Sequence, residues 1–369
     1  MDFYENLKLC PELKLRNDDH NNHFSNGLSM CGSMSTRDLT EVFSNDLEVK
    51  YKNSYGHTLI IHKKKFKDIL EVYTTFENTG EAETIIEMIS SCAISGIKAD
   101  NIHRIQSFWS MEGRVKTEST NSLQLEPSWS EYAVRCEKFG NLGSMPIRKY
   151  FPFVAFSDAR SENFIGVSLY SPSSWQFEIL CQIEELSMSC GIADRDFGHW
   201  FKKIGIGETF TTPKAVIACG KSLDEVCDKL VKHQNPNVSK LDVDMPIIFN
   251  EFCTTWGNPN FNNIKRIADK IKGRGIKYLV VDCGWYADET GWEITIGDWK
   301  ANSDMFPNGL IEVSEYIKKC GMVPGIWFEM EIVGRNAKAF HMTEHLLKKD
   351  GVVITTGDRR FWDMTDPWV

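Results

Sequence analysis

Residues 278–285 read YLVVDCGW, an apolar run that gives way to an aspartate. A short apolar run with polar residues after it predicts a buried strand. Apolar residues at helical spacing precede it over 261–271 and follow it over 310–320, and each of these two segments is stopped by glycine. Further apolar runs lie at 246–250 and 323–328. The order strand, helix, strand, helix, strand predicts a parallel sheet, because parallel strands need such crossovers.

Two architectures contain a sheet of this kind. A doubly wound nucleotide-binding fold needs a glycine-rich phosphate loop, but residues 205–207 (GIG) lack the third glycine. Residues 220–222 (GKS) end like a P-loop, yet Ala215 stands where its first glycine is needed. A (β/α)8 barrel instead carries its chemistry in loops after its strands. The long aromatic loop 283–308 therefore favours the first part of such a barrel.

The first 242 residues have a different character. Runs rich in β-branched and aromatic residues, typical of strands joined by turns, lie at 58–62, 68–76, 82–89, 151–156, 164–170 and 175–183. Many strands with few helices predict a large antiparallel β-sandwich. The expected fold is multidomain, β plus α/β, with a sandwich over 1–242 and an incomplete (β/α)8 barrel over 243–369.

Composition limits the partners and the compartment. The net charge is −9 and the one basic run is Lys63-Lys64-Lys65, so neither nucleic acid nor an anionic membrane is an expected partner. No signal sequence and no stretch of ~20 apolar residues occurs, which predicts a cytoplasmic protein. The eleven cysteines include no Cys-x-x-Cys pair, so we expect reduced core thiols. No metal and no cofactor is expected.

Four short motifs follow one another in the second half of the chain: DCGW at 282–285, GDW at 297–299, FPNGL at 306–310 and GMVPGIWFEME at 321–331. In this order they resemble the retaining α-galactosidases of glycoside hydrolase family thirty-six, in clan D. That family shows Asp-Asp-Gly-Trp, Gly-Asp-Trp, Phe-Pro-x-Gly-Leu and Gly-Met-x-x-Gly-x-Trp-Phe-Glu-x-Glu. The tail from Asp363 is similar to the segment before the family's catalytic strand. The resemblance implies the N-terminal part of such an enzyme, ending before that strand.

The resemblance also implies a sugar site at the strand ends. Asp282 would accept hydrogen bonds from sugar hydroxyls, and charge-assisted bonds are the strong kind. Trp327 would pack its indole on the galactosyl ring. An arginine near the chain's end is implied too, and Arg359 or Arg360 is the candidate. The alternatives are a loop-capping carboxylate for Asp282 and core packing for Trp327.

Two other positions in the motifs each have two alternative roles. Cys283 stands where the family has a second aspartate, and the two family aspartates reach the hydroxyls at C4 and C6 of galactose. Either Cys283 alters the reading of C6, or it points into the core and a neighbouring loop supplies the polar contact. Trp285 is either a ligand contact or an anchor of its loop. Glu329 and Glu331 are expected two apart on a strand, facing one side, and the resemblance gives them a supporting role.

The implied reaction is hydrolysis of a terminal α-linked galactosyl-type sugar by double displacement with retention. One carboxylate attacks the anomeric carbon, and a second acts as acid and then as base. The resemblance implies that both lie beyond residue 369, so the chain alone is expected to be inactive. The expected partner is an oligosaccharide or α-galactoside, and a homo-oligomer is possible.

Two hypotheses from other classes remain open. The chain could be a non-catalytic carbohydrate-binding or structural remnant of the enzyme. Alternatively, residues 341–345 (HMTEH) match the His-x-x-Glu-His pattern of certain zinc proteases. On a helix His341 and His345 would share a face, although a third ligand should follow well downstream.

Overall fold

The structure, a computed structural model, describes residues 7–16, 33–127, 135–143, 145, 147–183, 185–240 and 242–369. It divides into two compact units, Met1–Pro236 and Asn237–Val369. The sequence predicts the domain boundary between 242 and 243, a few residues after the boundary between Pro236 and Asn237 in the structure. Strands far outnumber helices over the described chain.

The N-terminal unit is built from two large antiparallel sheets. Its strands are β1 (Lys8–Leu9), β2 (Leu13–Leu15), β3 (Thr40–Ser44), β4 (Glu48–Lys52), β5 (Thr58–Phe66), β6 (Ile69–Glu77), β7 (Thr84–Ile97), β8 (Asn101–Gln106), β9 (Arg114–Ser119), β10 (Arg135–Asn141), β11 (Tyr150–Asp158), β12 (Asn163–Leu169), β13 (Trp175–Gln182), β14 (Glu185–Ile192), β15 (Lys202–Ile204), β16 (Thr209–Thr211) and β17 (Ala215–Gly220). One sheet has the order β1-β7-β14-β13-β10, with β2 and β15 also on β7. The other has the order β3-β4-β5-β6-β17-β12-β11-β8-β9, with β16 also on β6.

Both sheets contribute side chains to one hydrophobic core. Val72 and Phe76 of β6 enter it from the second sheet, and Trp175 and Phe177 of β13 enter it from the first. The spacing follows from the strand itself, since alternate residues face the same side of a sheet. All four side chains are fully buried.

An ion-pair network also joins the two sheets. Arg104 of β8 is 3% exposed and forms ion pairs with Glu118 of β9 and with Glu137 of β10, which lies in the other sheet. The Nη1–Oε1 distance to Glu137 is 2.6 Å. Removing one partner of so buried a group would leave an uncompensated charge.

The described residues of this unit contain three helices: α1 (Met34–Arg37), α2 (Arg195–Gly198) and α3 (Leu223–Gln234). The side chain of Ser222 caps α3 by accepting a hydrogen bond from the Glu225 amide. The buried face of α3, Val226 and Leu230, packs in a second cluster against β11 and β17. No helix in the described part of the chain is long and apolar enough to cross a membrane.

The C-terminal unit opens with the parallel sheet that the sequence predicts. Its strands are β18 (Ile247–Asn250), β19 (Ile276–Val281) and β20 (Val323–Ile326), in the order β18-β19-β20 and parallel throughout. Helix α5 (Phe261–Ile271) follows β18 and α7 (Gly309–Lys319) follows β19, so the predicted order is confirmed. Short helices α4 (Phe252–Thr255) and α6 (Trp292–Thr295) interrupt the loops.

The chain after β20 departs from the sequence prediction. Short antiparallel strands follow: β21 (Ile332–Gly334), β22 (Lys348–Lys349), β23 (Val352–Val353), β24 (Thr355–Thr356) and β25 (Arg359–Phe361). Because β20 ends at Ile326, Glu329 and Glu331 lie in the turn before β21. The prediction that these two glutamates share one strand was therefore wrong.

The cysteines are only partly the core thiols expected. The ten described cysteines carry no disulfide, and six of them are buried. Cys253, however, is exposed. The eleventh, Cys31, lies outside the described residues.

Candidate functional site

The carboxyl ends of the three parallel strands bring the sequence-predicted residues to one edge of the sheet. Asn250 ends β18, Asp282 follows β19 directly, and Trp327 follows β20 directly. Strand β19 pairs with both neighbours up to this edge. In α/β proteins built on parallel sheets, ligands bind at this edge.

Asp282 is buried and is held by hydrogen bonds on both oxygens. The Asn250 side-chain amide donates to Oδ2 at 2.5 Å, and the Cys283 backbone amide donates to Oδ1 at 2.7 Å. These bonds fix the carboxylate at the strand end. An ionised carboxylate offers about four lone-pair positions, so sites for a ligand hydroxyl remain.

Glu251 is a second carboxylate at the same edge, and the sequence analysis did not single it out. It is fully buried, accepts the Asp282 backbone amide at 2.9 Å and accepts the Thr255 hydroxyl. Burial raises its pKa, and the negative charge of Asp282 raises it further. Glu251 therefore fastens the end of β18 to the end of β19. Its signal in the sequence is a polar residue directly after an apolar run.

Cys283 lies in the hydrophobic cluster of this unit and is 3% exposed. Burial is the main cause that raises its pKa, and the neighbouring Asp282 carboxylate adds to the effect. The thiol is therefore neutral near pH 7. This placement agrees with the alternative in which residue 283 points into the core.

The glycine of the same motif is required by a close approach of two loops. Gly284 has φ +96°, a conformation that residues with a Cβ rarely adopt. A Cβ there would also lie 2.1 Å from the carbonyl oxygen of Gly257. The loops after β18 and β19 can meet only because no side chain stands between them.

The aromatic residues of the site divide into packed and partly open ones. Trp285 is buried, and its indole N–H donates to the Trp327 carbonyl oxygen at 3.0 Å. Its ring stacks on Trp299 at 5.8 Å between centroids and meets Phe328 edge-on at 5.3 Å. Trp327 is only half-buried. The structure thus gives Trp285 the contacts of a loop anchor and leaves part of the Trp327 ring available.

The structure distinguishes between the two candidate arginines. Arg360 donates from Nη1 to the Phe340 carbonyl oxygen at 2.6 Å and lies 4.0 Å over the Phe340 ring. Arg359, the adjacent residue of β25, has its guanidinium 5.8 Å from the Trp292 ring centre. Its positive charge also acts on Glu329. Neighbouring strand residues face opposite sides, and Arg359 is the one on the side of the strand-end residues.

Two further groups lie near these strand ends: Glu329, to which the resemblance gives a supporting role, and Tyr286, which was not predicted as a site residue. Burial raises the pKa of Glu329, while the Arg359 charge opposes that rise. Tyr286 is 7% exposed, and its ring meets those of Trp285 and Trp299 at 5.3 and 5.0 Å. Burial raises the pKa of Tyr286, so the phenol is protonated. Their role shows only once the loops are folded together.

The zinc-protease pattern does not fold as a helix. Only His341 belongs to a 3₁₀ turn (Lys338–His341), and His345 lies beyond it. His345 Nδ1 instead lies 2.9 Å from Asp366 Oδ2, and its ring stacks on Trp368. Over the described ranges, no group of three or more His, Cys, Asp or Glu residues could hold a metal ion. The helical face that this hypothesis requires is absent.

Comparisons with known proteins agree with the motifs. The sequence pattern of the melibiase family matches residues 209–359. The chain is 26% identical over 198 residues to "Alpha-galactosidase Mel36A" of Lactobacillus acidophilus, which covers 51% of this chain and 27% of the relative. It is 25% identical over 225 residues to "Alpha-galactosidase 1" of Pediococcus pentosaceus, which covers 58% of this chain and 30% of that one.

The fold is similar to that of a solved family member. The crystal structure of the GH36 α-galactosidase AgaA from Geobacillus stearothermophilus matches with a TM-score of 0.75 at 17% identity. The match covers 98% of this chain and 48% of AgaA. The chain thus spans about half of AgaA and less than a third of the two curated relatives. This chain is thus similar to the melibiase family over residues 209–359, and its fold is similar to that of a GH36 α-galactosidase.

Proposed function

We propose that this chain carries the hydroxyl-binding part of the sugar site of an α-galactosidase-type retaining glycoside hydrolase. The proposed frame is a β-sandwich followed by the first strands and helices of a (β/α)8 barrel. The observation that carries the proposal is Asp282, held at a strand end by Asn250 with acceptor sites left over. The half-buried Trp327 ring lies at the same edge and suits the apolar face of a pyranose.

The charged groups at this edge of the parallel sheet suit a neutral ligand that carries several hydroxyl groups. Asp282 and Glu329 are acceptors, and Arg359 supplies donors with a fixed fork geometry. A sugar hydroxyl both donates and accepts, so it can satisfy groups of both kinds at once. Variants of AgaA have been solved in complex with stachyose and with raffinose. We extend the same substrate class, terminal α-linked galactosyl sugars, to this site.

We infer that the carboxylates of this edge are not the retaining pair. Such a pair must lie about 5–5.5 Å apart with one member free to attack. Glu251 has both oxygens engaged and no exposed surface. The resemblance assigns the reaction neither to Asp282 nor to Glu329. We therefore expect the 369-residue chain to bind sugar without hydrolysing it.

Hydrolysis is tested directly with nitrophenyl α-galactoside. The purified chain should release no nitrophenol above the buffer rate, because attack and protonation each need a carboxylate. The resemblance assigns neither step to Asp282 or Glu329, and both Glu251 oxygens are engaged. Turnover that stays with the chain through repeated purification would contradict this.

Binding is tested by titrating the full chain with D-galactose and with its C4 epimer D-glucose in a calorimeter. Galactose should bind more tightly. Asp282→Asn should weaken galactose roughly tenfold or more, since bonds to a charged acceptor contribute about 1.5–3 kcal/mol. Asp304→Asn, an exposed aspartate in the same loop, is the matched control and should change nothing. Equal affinity for both sugars, or equal loss in both variants, would refute the proposed site.

A further inference from the structure

The hydroxyl of Tyr286 is a buried polar atom without a hydrogen-bond partner. The residue is 7% exposed, and no described protein group is a hydrogen-bond partner of its oxygen. Buried hydroxyls almost always have a partner, because burial without one forfeits the bond that water would make. This atom therefore needs a functional explanation.

The surroundings of the hydroxyl are those of the proposed sugar site. The ring is clamped edge-on between Trp285 and Trp299, which leaves it little freedom to turn away. The groups that act on it electrostatically are, in order, Cys283, Glu329, Arg359 and Asp282. None of them makes a hydrogen bond with its oxygen. The phenol thus lies among the strand-end residues with its donor unused.

We propose that Tyr286 is a ligand-binding residue whose hydroxyl donates a hydrogen bond to one hydroxyl of the bound sugar. This inference rests on the proposed function and adds a residue to it. The neutral phenol supplies a polar contact in a part of the site where Cys283 offers only a buried thiol. A rigid donor that is unsatisfied before binding is also preorganised, because binding needs no internal bond to be broken.

The first measurement is the affinity for galactose and its four monodeoxy analogues, which lack the hydroxyl at C2, C3, C4 or C6. Tyr286→Phe should weaken galactose roughly three- to tenfold, the range of one neutral hydrogen bond. For one analogue the same substitution should have no effect, and that analogue identifies the hydroxyl that Tyr286 binds. Undiminished galactose affinity, or an equal loss for all five sugars, would overturn the inference.

The second measurement is the melting temperature without sugar, and it does not depend on the proposed function. Tyr286→Phe should raise it, since the substitution removes an unsatisfied hydroxyl and breaks no internal bond. Tyr316→Phe is the matched control: its hydroxyl donates to Asp269 at 2.7 Å, so that variant should melt lower. A lower melting temperature for Tyr286→Phe would show an internal partner and refute the inference. If wild type binds no galactose, the proposed function fails, and the melting shift alone decides whether the donor is open.

Discussion

At the scale of single residues, Asp282 shows how a strand-end carboxylate is kept both fixed and usable. Asn250 and the Cys283 amide each take one position on it, and Glu251 holds its backbone. The fixing groups belong to the ends of two neighbouring strands. Orientation is therefore set before any ligand arrives, which lowers the entropy that binding must lose.

Residue 283 offers a direct test of its surroundings. Cys283→Asp should destabilise the unit by roughly 2–4 kcal/mol, because it buries a carboxylate beside Asp282. Cys283→Ala, which removes only a small side chain, should destabilise it less. Urea unfolding of both variants measures the difference. If the aspartate is tolerated and galactose gains affinity over the pentopyranose L-arabinose, residue 283 contacts the ligand after all.

The buried carboxyl group of Glu12 should make the free energy of unfolding depend on pH. It is 4% exposed, and burial followed by the charge of Glu178 raises its pKa from 4.5 to about 8. Its folded pKa lies above its unfolded one, so its stabilising effect is complete below pH 4.5 and is lost as pH rises towards 8.

Glu12→Gln should therefore be more stable than wild type at pH 8, by on the order of a few kcal/mol. The advantage should shrink to nothing below pH 4.5, where wild type is protonated in both states. Urea melts across this pH range measure it, with the exposed Glu81→Gln as a control. A difference that does not change with pH would contradict the assignment.

At the scale of elements, the loops that follow the strands shape the site. Gly284 and Gly257 let the loops after β18 and β19 touch, and Trp285 ties its loop to the residues after β20. Each strand end is thus attached to the next one. A disturbance of any one loop should spread to the others.

Two glycines with positive φ allow the cost of backbone strain to be measured apart from the cost of a steric collision. Gly284→Ala should cost more than about 3 kcal/mol, because left-handed strain adds to a collision with backbone. Gly273→Ala has the same kind of φ but open space around it, so about 1–2 kcal/mol is expected. The free energies of unfolding decide this, and equal values would mean that the loop gives way without difficulty.

Elements with a clear hydrophobic periodicity were predictable from the sequence. Elements that depend on contacts with distant residues were not. Helix α5 was predicted because Ile264, Ile267, Ala268 and Ile271 form one apolar face. The strands after residue 331 have two or three residues each, too few to show any alternation. The spacing of the two histidines in 341–345 suits a helix, yet only His341 belongs to a short 3₁₀ turn and His345 lies beyond it. Tyr286 gains its role from neighbours far away in sequence, which no local pattern displays. Glu251 is marked in the sequence only by its place directly after an apolar run.

At the scale of the whole molecule, the parallel sheet is less covered than such sheets usually are. Parallel strands are normally buried on both faces, but Ile247 and Ile248 of β18 are 58% and 61% exposed. The chain also spans only about half of AgaA. The N-terminal unit, with its own closed core, should be the sturdier of the two.

Limited proteolysis tests this difference. The segment 234–240 between the units is exposed throughout, so trypsin should cut early at Lys240 and release a resistant N-terminal fragment. Mass spectrometry of the first stable product locates its end. Lys240→Gln should delay its appearance. A first stable fragment that ends outside 234–240 would show that the units are not independent.

The stacked Trp285 and Trp299 rings have an optical consequence. The two indoles lie 5.8 Å apart with their planes inclined by 28°. We expect their electronic transitions to couple and to give a paired signal in circular dichroism. Trp327, whose ring centre lies 6.3 Å from that of Trp299, is the indole proposed to meet the sugar. A ligand that settles on Trp327 therefore perturbs a chromophore pair already built into the loops. The circular-dichroism signal of this tryptophan pair should therefore report sugar binding without any attached dye.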